Sequence, residues 1–219
     1  MENTKIWIFS CLLLASFQLS IGQQTEEKGQ LNGDLEFIGS VFLKDSAIGA
    51  ADFPQYEEEF VGADAWFNLN YTYKGYDIGL RFDMFNNSNL RNPTGSFTAQ
   101  GIGRWYVKKQ LDKLHISVGY LYDQIGVGAI FRAYESRPLF IDNSLMGVRL
   151  RYNITDDLQL KILAGRQRNV FELHESFIKA GSLEWYKSFH SGLNIAPGAG
   201  MMNRTLSDNE MDALINVLK

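Results

Sequence analysis

Cysteine, proline, net basic charge and long apolar runs are all scarce in this chain, and each scarcity removes a class of protein. Among 219 residues there is one cysteine, Cys11, and there are four prolines. A single cysteine forms no internal disulfide and supplies no thiolate pair for a metal. Lysine and arginine number 21 against 25 aspartates and glutamates, giving a formal charge of −4. The basic stripe that nucleic-acid binding requires is therefore missing, and no nucleic-acid partner is expected. Beyond the first 22 residues no apolar run approaches the roughly 18–20 residues that a membrane-spanning helix needs. Catalytic signatures are equally thin. His115, His174 and His190 show no HExxH spacing, so neither metal nor cofactor is implied, and Gly126 and Gly128 lack the helix and third glycine of a dinucleotide fingerprint.

At the start, Lys5 precedes an apolar run from Ile6 to Phe17, with small residues at Ser20 and Gly22. Residues 1–22 read as a secretory signal peptide cut near Gly22 or Gln23, and residues 23–30 as a linker. Cys11 sits inside that run. A lipoprotein cysteine belongs at its end, so lipidation is not expected.

What the chain does have is alternation. In ADAWFNLNYTYKGYDIGLRFDMF, Ala65, Phe67, Leu69, Tyr71 and Tyr73 share one face, and Tyr76, Ile78, Leu80, Phe82 and Met84 follow on the same face after Lys74-Gly75. A two-residue turn there pairs Tyr73 with Tyr76, Tyr71 with Ile78, Leu69 with Leu80 and Phe67 with Phe82. Only that register brings both apolar faces together, because a one-residue slip reverses every side chain. Similar patterns run through residues 114–122, 146–153 and 158–163, with weaker strands at about 34–44, 98–108 and 177–186. Short turns at residues 74–75, 109–113 and 154–157 alternate with long links at 45–59, 86–97 and 124–144.

Short and long connections in alternation, strands of eight to eleven residues and tyrosines at strand ends together point to an outer-membrane barrel. The expectation is an all-β fold, an antiparallel up-and-down transmembrane β-barrel over residues 31–205. Residues 206–219, with Ser207 before acidic residues and Met211, Leu214, Ile215 and Leu218 at helical spacing, predict a short helix. Because outer-membrane barrels end on a strand, the chain reads as the N-terminal part of a larger barrel. The alternative is a secreted soluble β-barrel or sandwich that turns its apolar face inward around a small apolar ligand.

The stretch FRAYESRPLFIDNSLMGVRLRYN from Phe131, LHESFIKAGSLEWYK further on and the QQ after the signal resemble DUF6029, an uncharacterised outer-membrane family of the Bacteroidota. That resemblance implies a β-barrel in the outer membrane of a Gram-negative bacterium and carries no activity. The function expected is non-enzymatic, either porin-like or as an envelope scaffold, with outer-membrane lipid and other envelope proteins as partners.

Five residues on the polar faces, Arg81, Asp83, Arg149, Arg151 and Lys161, are expected to face a lumen. There they either line a pathway or form the simpler arrangement, a salt-bridged interior. Simple pairing sets Arg149 opposite Lys161, and two like charges require a carboxylate that the pattern does not identify. In the long link, Arg132, Tyr134, Glu135, Arg137 and Asp142 form a constriction, a partner surface or a self-packed cap. His115 beside Ser117 is the best pair for hydrolysis, although no orienting carboxylate accompanies it, and two ordinary polar residues explain it as well.

Overall fold

Period-two patterning suits an extended strand, which sends successive side chains to opposite faces. A computed structural model describes residues 28–92 and 94–217, and the expected signal peptide with Cys11 lies outside them. The strands are β1 (Gln30–Val41), β2 (Val61–Tyr73), β3 (Tyr76–Ser88), β4 (Phe97–Leu111), β5 (Leu114–Leu121), β6 (Asp123–Ile125), β7 (Phe131–Ala133), β8 (Glu135–Ser136), β9 (Ile141–Asp142), β10 (Leu145–Asn153), β11 (Leu158–Asn169), β12 (Glu172–Trp185), β13 (Lys187–Ser188), β14 (Asn194–Ile195) and β15 (Gly198–Thr205). Helix α1 (Asp208–Val217) follows, and Met211 N–H donates to the Ser207 carbonyl at its start.

Nine strands make one antiparallel sheet in the order β1-β2-β3-β4-β5-β10-β11-β12-β15. The meander agrees with the expected connectivity. Closure does not, because β1 and β15 are separate edges and no sheet among the described residues closes into a barrel. The transmembrane barrel is thus corrected to an open sheet. With closure go the porin-like function, the outer-membrane location and the lipid and envelope partners that rested on it. Among the described residues, no helix is long and apolar enough to cross a membrane.

Local patterning fared better than closure. The β2–β3 register pairs Tyr73 with Tyr76, Leu69 with Leu80 and Phe67 with Phe82, as the alternation requires. Lys74 (φ 45°) and Gly75 (φ 75°) both take the left-handed conformation that a tight hairpin needs. The β10–β11 hairpin differs. Ile154 N–H donates to the Leu158 carbonyl at 2.9 Å, tightening the turn and moving the register by two residues. Arg149 then stands opposite Leu163, and Arg151 opposite Lys161.

The two faces have opposite chemistry and inverted exposure. On the outer face, Leu80 is 44% exposed and Ile162 48%, whereas on the other face Arg81 is 3% exposed and Asp83 2%. Residues 123–143 cover that polar face. They form two short antiparallel pairs, β6–β7 and β8–β9, and the first brings Ile125, Phe131 and Ala133 into the buried apolar cluster with Leu145, Leu163, Ile178 and Ala180 of the sheet. Gly119, Gly147 and Gly165 stand side by side on β5, β10 and β11. A Cβ on Gly147 would lie 2.0 Å from the Ala164 carbonyl oxygen, so the backbones approach as only glycine permits.

Candidate functional site

Two ionic networks fasten the 123–143 segment to the sheet, one at each end. At its start, Asp123 collects three cations. Arg149 Nη1 donates to Asp123 Oδ2 at 2.7 Å, Arg151 Nη2 donates to the same oxygen at 2.9 Å, and Lys161 Nζ donates to Oδ1 at 3.1 Å. Lys161 also donates to the Gln124 carbonyl at 2.8 Å. Burial alone pushes the Asp123 carboxyl up, but the Arg149 hydrogen bond and the charges of Arg151 and Lys161 outweigh it and hold the pKa at about 2. Here is the carboxylate that the sequence pattern did not identify.

Near its far end the same segment meets Arg81. Arg81 Nε and Nη2 donate to the two oxygens of Asp83 at 2.6 and 3.0 Å, Nη1 donates to Glu135 at 2.7 Å, and Nη2 also donates to Asp142 at 2.9 Å. Arg168 Nη1 donates to Asp142 Oδ2 at 2.6 Å and to the Gly103 carbonyl, and its Nη2 lies 3.5 Å from Asp83. Burial disfavours the Arg81 charge, but Asp83 and Glu135 outweigh that and raise its pKa. Burial also raises Asp83, with Arg81 and Arg168 opposing. Tyr122, whose hydroxyl is 3.3 Å from Glu135, is pushed up by burial and by Asp142 and Glu135.

The five residues expected to face a lumen are divided between these two networks: Arg81 and Asp83 in one, Arg149, Arg151 and Lys161 in the other. Of the five expected in the long link, Glu135, Arg137 and Asp142 join the Arg81 network, with Arg137 also paired to Glu36 and lying 4.9 Å over the Trp66 ring. Arg132 instead stacks 4.6 Å over Tyr134. Arg168 escaped the pattern for a geometric reason. A register shift between Arg166 and Arg168 on β11 turns Arg168 to the covered face against the strand's parity.

Hydrolysis gains no support from His115 and Ser117. Ser117 is buried, and its hydroxyl accepts from Arg149 Nη2 at 3.0 Å. Among the described residues, no group of three or more His, Cys, Asp or Glu could hold a metal ion.

A cleft of about 530 Å³ opens where the segment's tip passes the ends of β12 and β15. Ile125, Val127 and Ile130 of the segment line it together with Ser182, Glu184, Trp185, Tyr186 and Ala199. Val127 is 92% exposed, an unusual position for an apolar side chain that has a cleft to line. Ser182 Oγ donates to Glu184 Oε1 at 2.8 Å, so the polar groups there are already paired.

Neither the curated proteins nor the solved structures contain a match to the chain. One family model matches residues 3–216, and by that match the chain belongs to the group described as "Family of unknown function (DUF6029)".

Proposed function

We propose that this protein is a non-enzymatic binding module for a small apolar ligand, held in the cleft between the tip of the 123–143 segment and the ends of β12 and β15. The observation that carries the reading is the cleft's lining: aliphatic side chains together with two aromatic rings, in a volume typical of small-molecule sites. Its paired polar groups offer orientation to a ligand with one polar end and little to a charged one. The reading differs from a ligand enclosed by the sheet's own apolar face, because that face points away from the covered side.

Titration with N-phenyl-1-naphthylamine, a neutral apolar fluorophore, tests it. Val127→Asp and Ala129→Phe, one adding charge and the other bulk to the cleft, are expected to weaken binding by about tenfold or more. Leu80→Ser, on the outer face, is expected to leave it unchanged. Binding that follows Leu80 and ignores Val127 and Ala129 would place the probe on the sheet's outer face and refute the reading.

A further inference from the structure

A second cavity, of about 270 Å³, lies on the covered face around the Arg81 network. Its floor is ionic and its walls are aromatic. Arg81, Arg137 and Arg168 contribute three positive charges and Asp83, Glu135 and Asp142 three negative ones, so the floor is balanced. Phe85 and Phe140 meet edge to face at 5.0 Å, and Trp66 packs on Phe85 at 5.9 Å. Asn169 and His174, both exposed, stand at the rim.

The hydrogen-bond inventory selects the ligand. The guanidiniums are engaged: Arg81 reaches three carboxylates, Arg168 reaches Asp142, Asp83 and two backbone carbonyls, and Arg137 reaches Glu135 and Glu36. An anion drawing on these arginines would compete with the carboxylates they already hold and would add negative charge beside Asp83, Glu135 and Asp142. A cation drawing on the carboxylates would compete with the arginines in the same way. Carboxylate oxygens, in contrast, accept more than one hydrogen bond each. What this floor also offers is acceptor capacity, and neutral donors such as hydroxyls use it without bringing charge. The aromatic walls offer an apolar surface beside it, and the volume suits one ring better than a chain of rings.

We infer that this cavity is a second binding site, separate from the apolar cleft, for an uncharged hydroxyl-bearing ring of the monosaccharide class. One face of the ring packs on Phe140 and Phe85, and its hydroxyls donate to Asp83, Asp142 and Glu135. The inference does not depend on the apolar cleft being occupied.

Calorimetric titration of the full chain with the methyl glycosides of glucose, galactose, mannose and N-acetylglucosamine tests it. Saturable binding of at least one is expected. Val170→Trp, which narrows the mouth without touching the ion pairs, and Phe140→Ala, which removes the wall, are each expected to weaken it at least about tenfold. Ala129→Phe, which fills the other cleft, is expected to leave it unchanged. Glucuronate and inorganic phosphate probe the charge argument on the unmodified protein, and both are expected to bind more weakly than the neutral glycoside. The inference is overturned by the absence of binding across the panel, by binding that survives both Val170→Trp and Phe140→Ala, by binding lost with Ala129→Phe, or by preference for either anion.

Discussion

The two ends of the 123–143 segment are fastened by mirror-image devices. At Asp123 one carboxylate gathers Arg149, Arg151 and Lys161; at Arg81 and Arg168 two guanidiniums gather Asp83, Glu135 and Asp142. The first has surplus positive charge and lies nearer to water, with the Arg151 side chain 36% exposed. The second combines shared hydrogen bonds with near-complete burial of Arg81, Asp83 and Arg168. The contrast shows which kind of anchoring tolerates damage. Surplus charge that reaches solvent is screened, whereas removing one member of a buried network strands the others.

The largest effect is therefore expected at Arg81. Arg81→Met leaves Asp83 and its neighbours short of a partner, and urea unfolding should show a loss of about 3–5 kcal/mol. Next comes Asp123→Asn at neutral pH. Depression of the Asp123 pKa from its ordinary 3.8 to about 2 corresponds to about 2 kcal/mol of stability, which the neutral amide forfeits. A greater loss at Asp123 than at Arg81 would reverse the comparison.

Acid sharpens it further. Because Asp123 is depressed in the folded state, its contribution is present above the ordinary pKa and is lost as pH falls from about 4 toward 2. Asp83 is raised instead, so the folded state accepts its proton more readily and partly offsets that loss. A stability profile across this range should steepen through Asp123 and flatten in Asp123→Asn; equal profiles would contradict the assignment. Ser117→Ala, which costs Arg149 one hydrogen bond, should lower the unfolding free energy by about 1 kcal/mol. The smallest change belongs to Lys108→Met. Its pair with Asp77 is more than a third exposed on both sides, and a thermal melt should register less than about 1 kcal/mol.

Much of the sheet was legible because its determinants are local. Lys74-Gly75 and the alternation on either side fix the β2–β3 register together, and either alone would have been weaker evidence. The β10–β11 turn was placed correctly, but whether Ile154 belongs to the turn or the strand decides the register, and composition does not distinguish the two. Arg168 was lost because a bulge resets parity, and Asp123 because its partners come from strands it reaches only when the segment folds back. Closure was misjudged for a related reason. Alternation reports that a sheet has two different faces, while whether its edges meet depends on strand number and curvature, to which the alternation contributes nothing. The division of the charged residues into two networks was equally invisible, since it depends on where a long connection comes to rest.

At the glycine row of 119, 147 and 165, neighbouring strands meet backbone to backbone. With side chains on that line the strands would have to spread, because a Cβ at each of the three positions would lie within 2.4 Å of a carbonyl oxygen on the neighbouring strand. How closely four neighbouring strands, β4, β5, β10 and β11, can lie is thus set by three residues that contribute no side chain.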